Sequence, residues 1–362
     1  MLASADILIE GKRPWDVRVL NEDIYERVAV EGMLGVGEGY MDGWWECDQL
    51  DEMICKAFRA NFHREIRPLK YLLFTLDAQL RNLQRKARAF QVGVQHYDLG
   101  DNLYRVMLDQ RMIYSCAYWK NAETLDQAQE NKLDLIARKL QFEPGMKVLD
   151  IGCGWGGALH YFVEKYGVSG VGITISRDQQ RTAQELCKDQ SVEIRLQDYR
   201  DLDEQFDSIY SVGMFEHVGH KNYDAYMQTV RRCLKPDALF LLHTIGGRFS
   251  QARTDPWLTR YIFPNSMLPS PAQITMATEG VLNIEDWHNF PHDYERTLMC
   301  WYDRFEQNWD TLKDQYDERF FRMWRYYLLA CAGGFRAGGN QLWQIVYSRD
   351  GVPGGYSAVN IR

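Results

Sequence analysis

The sequence predicts an α/β fold in which a mainly parallel sheet carries helices on both faces. Five short apolar segments alternate with stretches of helical periodicity, which is the pattern of a doubly wound sheet. The strand candidates are 146–151, 169–175, 192–197, 206–212 and 239–245. A glycine-rich segment follows the first strand, and such sheets bind ligands at the carboxyl ends of their strands. We therefore expect a ligand beside residues 152–157.

The remaining elements extend this pattern. Helices are predicted at 158–165, 179–189 and 223–234, the last ended by Pro236. Two long aromatic-rich helices follow at about 294–315 and 318–332, and a final strand spans 341–349. The order of elements indicates one large α/β domain, preceded by a small domain with several glycines.

Composition excludes several classes of protein. The chain has 362 residues, 46% of them hydrophobic, and a net charge of −8, which argues against general nucleic-acid binding. Its eight cysteines form no C-x-x-C pair, so we expect reduced thiols, no structural metal site and a cytoplasmic location. No run approaches the roughly 20 apolar residues of a membrane span. The first ten residues lack a basic start, so we expect no signal peptide.

Charge is distributed unevenly, and this pattern suggests the domain boundaries. Residues 56–96 carry nine basic and two acidic side chains within an otherwise acidic protein. Apolar residues recur at helical spacing from Leu69 to Phe90, while Arg81, Arg85, Lys86 and Arg88 lie largely off that stripe. The pattern is typical of helices on anionic membranes and equally of a solvated inter-domain helix. We predict a small α-rich domain at 1–68, a basic amphipathic linker helix at 69–95 and a catalytic domain at 96–362.

The glycine-rich segment has a distinctive spacing. In KVLDIGCGWGG (147–157) an acid, Asp150, precedes the first glycine by two residues, and the glycines follow a G-x-G-x-G-G pattern. Glycine permits tight turns and close approach of a ligand to the backbone. The segment resembles the first motif of S-adenosylmethionine (SAM) methyltransferases, although a dinucleotide site and a plain structural turn remain alternatives at this point.

Other polar residues follow the predicted strands at the same edge of the sheet. Thr174 and Gln179 follow the second strand, where many SAM enzymes have a carboxylate for the ribose, and Asp198 follows the third. Glu216 and His243 follow the fourth strand and end the fifth, so they form a candidate acid–base pair. A purely structural role for either is the alternative. Cys331 lies among apolar residues and is interpreted as an inert buried thiol.

Taken together, these motifs resemble the bacterial cyclopropane-fatty-acyl-phospholipid synthases of the two-domain enterobacterial type. The resemblance covers nearly the whole chain and depends on a series of motifs in one order: GEGYMDGWWECD (37–48), QHYDLGDNLY (95–104), YSCAYW (114–119), VLDIGCGWGG (148–157), GITIS (172–176), QDYRDL (197–202), SVGMFEHVG (211–219), FLLHTIG (240–246) and YYLLACAGGFR (326–336).

The resemblance implies a Rossmann-like SAM-dependent methyltransferase sheet and a specific reaction. The family transfers the methylene carbon of SAM to the cis double bond of unsaturated acyl chains in membrane phospholipids, and bound bicarbonate deprotonates the resulting carbocation. By resemblance, the catalytic positions are Cys116, Glu216, His243, Ile245 (through its backbone), Tyr294 and Cys331. The cofactor contacts are Tyr114, Ser115, Asp150, Gly152, Gly154, Thr174, Gln179 and Asp198.

The resemblance also implies partners and a location. It predicts a cytoplasmic homodimer that associates peripherally with the inner, anionic face of the membrane and binds no nucleic acid. Two other functions remain: methylation of a polar nucleophile such as an amine or a phenol, and membrane binding by a degenerate methyltransferase fold.

Overall fold

The computed structural model describes residues 2–62 and 100–358, which form two compact units. Among the described residues, the first unit contains 2–62, 252–266 and 291–341. The second unit contains 100–251, 267–290 and 342–358. The predicted linker helix at 69–95 lies outside the described residues. Segments 252–266 and 291–341, which the sequence-based division assigns to the catalytic domain, group with the N-terminal segment in the first unit.

The elements of the described residues are numbered in chain order. The strands are β1 (Arg18–Val19), β2 (Trp45–Glu46), β3 (Lys147–Ile151), β4 (Ser169–Thr174), β5 (Val192–Leu196), β6 (Phe206–Val212), β7 (Leu234–Gly247), β8 (Asn283–Asn289) and β9 (Asn340–Ser348). The helices are α1 (Ile24–Glu31), α2 (Met33–Met41), α3 (Leu50–Arg59), α4 (Asp101–Met107), α5 (Leu125–Lys139), α6 (Gly157–Tyr166), α7 (Arg177–Leu186), α8 (Tyr223–Cys233), α9 (Pro256–Tyr261), α10 (Pro271–Thr278), α11 (His292–Gln307) and α12 (Glu318–Arg336).

The second unit is built on a seven-stranded sheet of order β5-β4-β3-β6-β7-β9-β8. Strands β3 to β7 pair in parallel, whereas β8 and β9 pair antiparallel at one edge. The order reverses between β4 and β6, the neighbours of β3, so β3 lies at the switch point where such sheets bind ligands. The predicted doubly wound class is confirmed.

Apolar side chains alternate between the two faces of this sheet, as β geometry requires. Val148 and Leu241 belong to one core with residues of α5, α6 and α7. Leu149 and Leu242, their neighbours in sequence, belong to the other core with residues of α8 and α10. The sheet is therefore covered by helices on both faces, and its strand ends hold the polar residues described below.

The first unit is mainly helical and contains the ribbon of β1 and β2. Helix α12 packs against both α3 and α11. The α3 contact is close, because a Cβ added at Gly333 would lie 2.3 Å from the carbonyl oxygen of Asp51. Trp45 is buried and its ring lies 6.4 Å from that of Tyr326 on α12. Close helix packing and aromatic contacts therefore hold together parts of the chain far apart in sequence.

Most predicted elements are present, and the differences have local causes. Strand β7 begins at Leu234 rather than at 239 and includes Pro236, which the sequence placed after a helix. The β6–β7 register shifts between Phe206 and Ser208, whose partners are Leu234 and Leu239, so the proline lies in an irregular part of the ladder. Helix α11 ends at Gln307, and a short 3-10 turn, Trp309–Thr311, follows it. None of the described helices is long and apolar enough to cross a membrane.

Candidate active site

The glycine segment forms an open turn after β3. Gly152, Gly154 and Gly156 have φ of 93°, 52° and 85°, values that L-residues with a side chain rarely adopt. The amides of Gly152 and Cys153 both donate to the carbonyl of Ile173 on β4, each at 3.0 Å. A Cβ added at Gly154 would meet no atom within 4 Å. The turn is therefore fixed by β4 on one side and open to a ligand on the other.

Asp150 at the end of β3 is a buried carboxyl with unused hydrogen-bonding capacity. It is 2% exposed, and among residues 2–62 and 100–358 its Oδ1 has no hydrogen-bond partner. Burial raises its pKa to about 7. A ligand that brings an ammonium group would satisfy this carboxyl, and the methionine part of SAM carries one. The residue therefore fits its predicted role as a cofactor contact.

Thr174 and Gln179 lie together beyond the end of β4. The Thr174 hydroxyl donates to Gln179 Oε1 at 2.9 Å, and both side chains are buried. Ser176 caps α7 by accepting a hydrogen bond from the Gln179 amide at 3.3 Å, which places Gln179 in the first turn of that helix. An amide and a hydroxyl thus occupy the position where a ribose-binding carboxylate is common.

The carboxylate of Asp198, after β5, is hydrogen-bonded to a neighbouring arginine. Its two carboxylate oxygens accept hydrogen bonds from the Arg200 side chain at 2.8 and 2.9 Å, and one also accepts from the Arg200 amide at 3.0 Å. The side chain is buried. Asp198 is therefore held rigidly at the strand end, with fewer lone pairs left for an adenine amine than the sequence alone suggests.

Helix α5 holds the segment that contains Tyr114, Ser115 and Cys116. Gln129 Nε2 donates to the carbonyls of Ile113 and Ser115 at 3.3 and 2.9 Å. Lys132 Nζ donates to Ser115 Oγ at 2.8 Å. Lys132 is completely buried, and burial lowers its pKa to about 8. The Tyr114 ring packs on Tyr104, whose ring contacts Trp155 of the glycine turn, at centroid distances of 5.2 and 4.8 Å.

Glu216 lies in a 3-10 turn after β6 and reaches across to β7. Its Oε1 accepts a hydrogen bond from the Ile245 amide at 2.6 Å. Its Oε2 is buried and has no partner within the part of the chain that the structure describes. Burial raises the pKa of Glu216 to about 7, so near neutral pH the carboxyl exists in both protonation states. One oxygen fixes the side chain and the other remains for a ligand.

His243 lies on β7, two residues before Ile245, and is 1% exposed. Its Nδ1 contacts Gln344 Nε2 on β9 at 3.2 Å, while its Nε2 has no hydrogen-bond partner in the described ranges. The ring of Phe290 packs against it at a centroid distance of 5.9 Å, and Tyr118 packs against Phe290 at 5.4 Å. Like Glu216, the histidine presents one satisfied atom and one unsatisfied atom.

The structure therefore groups most of the predicted residues but not all of them. Cys116 is buried in the second unit, where its Sγ donates to the Ala117 carbonyl at 3.1 Å. Tyr294 on α11 and Cys331 on α12 belong to the first unit, and their roles in the site remain predictions. Cys331 is only partly buried, which differs from the predicted buried thiol, but desolvation still raises its pKa to about 12 and so favours its interpretation as an inert thiol. Within the described residues, no group of three or more metal-ligating side chains is arranged to hold a metal ion.

The sequence-based predictions missed the buried polar residues that hold the site residues in place through hydrogen bonds. Gln129 and Lys132 lie on the buried face of α5, and Gln344 interrupts the apolar run of β9. A polar residue within an apolar strand pattern requires a buried partner, and this signal identifies Gln344 from sequence. Its partner His243 is 101 positions away, so the pairing itself needs the fold.

The strand order, the glycine turn after β3 and the polar strand ends define the class of protein: a SAM-dependent methyltransferase fold. Coclaurine N-methyltransferase, solved with N-methylheliamine and SAH, superposes with a TM-score of 0.71 over 87% of this chain and 99% of its own. At 21% identity it shows the fold alone. The mycolic acid cyclopropane synthase CmaA1, solved with SAH and CTAB, has a TM-score of 0.67 and 34% identity over 72% of this chain and 98% of its own.

Sequence comparison gives the family. The family model described as mycolic acid cyclopropane synthetase matches residues 84–345. The cyclopropane-fatty-acyl-phospholipid synthase of Escherichia coli (strain K12) is 55% identical over 356 residues, which cover 98% of this chain and 93% of that protein. The chain belongs to the mycolic acid cyclopropane synthetase family and is a SAM-dependent methyltransferase, as the sequence motifs predict.

Proposed function

We propose that this enzyme transfers the methylene carbon of SAM to the cis double bond of an unsaturated acyl chain in a membrane phospholipid and closes a cyclopropane ring. The observation that carries the proposal is the pair of buried, unsatisfied atoms Glu216 Oε2 and His243 Nε2 beside the SAM turn. A methyltransferase for amines or phenols needs no enclosed site of this kind. The 55% identical relative, a cyclopropane-fatty-acyl-phospholipid synthase, supports the same reaction.

The reaction needs several contributions from the protein. The π electrons of the alkene attack the sulfonium methyl group, the S–CH3 bond breaks and S-adenosylhomocysteine leaves. An alkene is a weak nucleophile, so the two reactants must be held close and in line. Electron-rich rings in a dry pocket would stabilise the resulting carbocation, and Phe290 supplies such a ring next to His243, with Tyr118 packed against Phe290. Loss of a proton from the new methyl group then leaves an electron pair that closes the ring.

Bicarbonate fits the two unsatisfied atoms. It offers both an O–H donor and oxygen acceptors, and we assign Glu216 and His243 to hold it, with Cys116, the backbone of Ile245 and Tyr294 completing the predicted set. Bound there, it would supply an oxygen base within the pocket. The raised pKa of Glu216 removes an electrostatic objection, because a protonated carboxyl donates to an anion instead of repelling it.

The cofactor residues divide by the part of SAM that they contact. We assign the methionine part to Asp150, Gly152, Gly154 and Ser115. The first three belong to the end of β3 and its open turn, and Ser115 lies by the turn after the adjacent strand β6, where a Cβ added at Gly213 would be 3.6 Å from Ser115 Cβ. Thr174 and Gln179 provide hydroxyl and amide groups for the ribose, and Asp198 lies where the adenine is expected. Tyr114 contributes an aromatic face.

We further propose that the enzyme is cytoplasmic, associates peripherally with the anionic inner face of the membrane and forms a homodimer. The basic segment at 56–96 supports membrane association by its charge, and the dimer follows from the family resemblance alone. Sedimentation velocity at micromolar protein concentration tests the dimer, which a monomeric mass would contradict.

The decisive test uses Glu216→Gln, which keeps the shape of the side chain and removes its ionisation. We expect SAM affinity within about twofold of wild type and a loss of most turnover, at least about 100-fold. Turnover is measured by mass spectrometry of acyl chains after incubation with SAM and unsaturated phospholipid vesicles. Wild type should add one methylene in a form that resists hydrogenation.

The matched control is Glu279→Gln, an exposed glutamate at the end of α10. Turnover of this control should equal wild type. Wild-type enzyme that binds SAM without modifying the lipid would contradict the proposed reaction. Full turnover by Glu216→Gln would exclude only the proposed role of Glu216 in that reaction.

A further inference from the structure

The catalytic histidine candidate has a buried partner on the neighbouring strand. Gln344, completely buried on β9, places its Nε2 3.2 Å from Nδ1 of His243. β9 lies beside β7 in the sheet, so the contact runs directly across two adjacent strands. In this amide orientation Gln344 Nε2 donates to the Nδ1 atom that it faces, so Nδ1 accepts and carries no proton, while Gln344 Oε1 is left buried without a partner among the described residues. The single proton of a neutral imidazole is then on Nε2.

Nε2 is the atom that the protein leaves without a partner among the described residues. A buried N–H without an acceptor is unfavourable, so at this strand end it is a candidate contact for a ligand that accepts a hydrogen bond. Glu216 Oε2 is unsatisfied in the same way, and Glu216 is tied to Ile245, two residues beyond His243 on the same face of β7.

We propose that Gln344 is a positioning residue that fixes the Nε2–H tautomer of His243, so that the histidine donates a hydrogen bond to the anion held beside Glu216. The inference rests on the proposed function and extends it to a residue that does not touch the anion. Its role is comparable to that of the groups that orient metal-bound or catalytic histidines through their second nitrogen.

Charge supports a neutral donor at this position. Burial, together with Lys132, Lys139 and His288, lowers the pKa of His243 well below its usual range. The histidine thus donates because of its tautomer and not because it is an imidazolium ion. The same surroundings oppose a charged side chain at 243 across the neutral pH range.

A further polar cluster supports Gln344 from the edge of the sheet. His288 on β8 is the cross-strand neighbour of Gln344. Its Nδ1 lies 3.3 Å from Nζ of Lys139, and the same Nζ is 3.3 Å from Asp286 Oδ2. Lys139 belongs to α5, so these contacts fix β8 and β9 against a helix. These contacts therefore hold the side-chain amide of Gln344 in a fixed position.

The test measures the tautomer directly. Enzyme labelled with 15N in its histidine rings is examined by NMR, and the His243 signals are identified by their absence from His243→Gln. We expect Nδ1 of wild type to give the shift of an unprotonated nitrogen and Nε2 that of a protonated one. In Gln344→Glu the carboxylate only accepts, so Nδ1 should become protonated.

Gln344→Leu tests the consequence for catalysis. It should lower kcat/KM about 10- to 100-fold, the usual effect of losing such a support, while SAM affinity stays within about twofold. The matched control is Gln190→Leu, which removes an amide bonded to the His160 carbonyl at 3.2 Å, away from the site. This control should retain wild-type turnover.

Two results would overturn the proposal: a protonated Nδ1 in wild type, or wild-type turnover in Gln344→Leu. The first needs no variant and so remains decisive even where a variant fails to fold. Because the NMR measurement needs neither lipid nor turnover, its failure is distinct from failure of the proposed cyclopropane reaction.

Discussion

At the scale of single residues, the site combines buried groups that are each half satisfied. Asp150, Glu216 and His243 all have one polar atom without a partner in the described part of the chain. Leaving such atoms buried is unfavourable for the protein alone, so at the strand ends around the glycine turn they are candidate ligand contacts. The sequence identified these three residues because each follows or ends a predicted strand. It did not identify Gln129, Lys132 or Gln344, whose partners depend on which elements become neighbours.

Gly152 provides a test of the SAM turn. A Cβ at this position would lie 2.7 Å from Met214 Cγ, and φ is 93°. Gly152→Ala should therefore lower stability by about 1–2 kcal/mol through backbone strain and weaken SAM binding at least about tenfold. Calorimetric titration with SAM measures the affinity.

Gly145→Ala is the matched control for that substitution. Gly145 has φ of 89°, and an added Cβ would meet nothing within 4 Å. The Gly145→Ala variant has the same kind of backbone strain as Gly152→Ala but no contact with Met214. Its SAM affinity should therefore equal that of the wild type. Equal SAM affinities in the two variants would contradict the assignment of the turn to the cofactor.

The raised pKa of Glu216 predicts a pH dependence of stability. Its carboxyl has a pKa of about 7 when folded, against an ordinary value of 4.5. Between these values the folded state holds a proton that the unfolded state has lost, so the stabilising contribution is complete below pH 4.5 and decreases as the pH rises through 7. From pH 5 to 7, wild type should lose about 2 kcal/mol more than Glu216→Gln. Urea unfolding at both pH values measures the difference, and parallel pH profiles would refute it.

At the scale of elements, the period of the sequence was sufficient to place the strands of the parallel sheet and the helices between them. The predicted element boundaries were wrong where the backbone geometry is irregular. Pro236, for example, was predicted to end a helix but lies in β7. Packing partners were also not predictable. Helix α12 packs on α3, and nothing in either segment alone encodes this pairing.

Arg336 at the end of α12 predicts how strongly those helices depend on each other. Its guanidinium lies 2.7 Å from Asp51 and 3.2 Å from Glu52 of α3, and 2.6 Å from Glu295 of α11. Arg336→Gln would leave three carboxylates close together without their shared cation. We expect the free energy of unfolding to fall by about 1–3 kcal/mol. Urea unfolding monitored by tryptophan fluorescence measures this loss.

Arg18→Gln is the control, because Arg18 has one exposed partner, Asp48, at 2.9 Å. Its effect should stay below about 1 kcal/mol, the usual limit for a surface ion pair. A loss in Arg336→Gln no larger than that of the control would show that the cluster does not join the helices.

At the scale of the whole molecule, the sequence predicted a small domain, a basic linker and a catalytic domain. The structure instead divides the described chain into two interleaved units, each assembled from separated segments. A division read from sequence runs along the chain, whereas compact units follow contacts, and α12 contacts residues of α3 that precede it by more than 200 positions.

The basic segment gives a prediction for the complete protein. Replacing Arg81, Arg85, Lys86 and Arg88 with glutamine removes four positive charges, each worth about 1 kcal/mol near an anionic surface. We expect the variant to bind anionic phospholipid vesicles at least about tenfold more weakly in a sedimentation assay and to bind SAM normally. Replacing Arg349, Lys313, Lys188 and Arg181, which lie elsewhere, should have less effect. If the variant bound vesicles as tightly as the wild type, the basic segment would only connect the two domains and would not bind the membrane.

The interleaving of the two units also bears on how the chain folds as it is synthesised. Helix α3 ends at Arg59, but its packing partner α12 begins only at Glu318. At about 5–20 residues per second, the ribosome needs on the order of ten to fifty seconds to make the intervening chain. During that interval the apolar face of α3 has no native partner from α12. The N-terminal segment therefore completes its native contacts only late in synthesis, even though it emerges first.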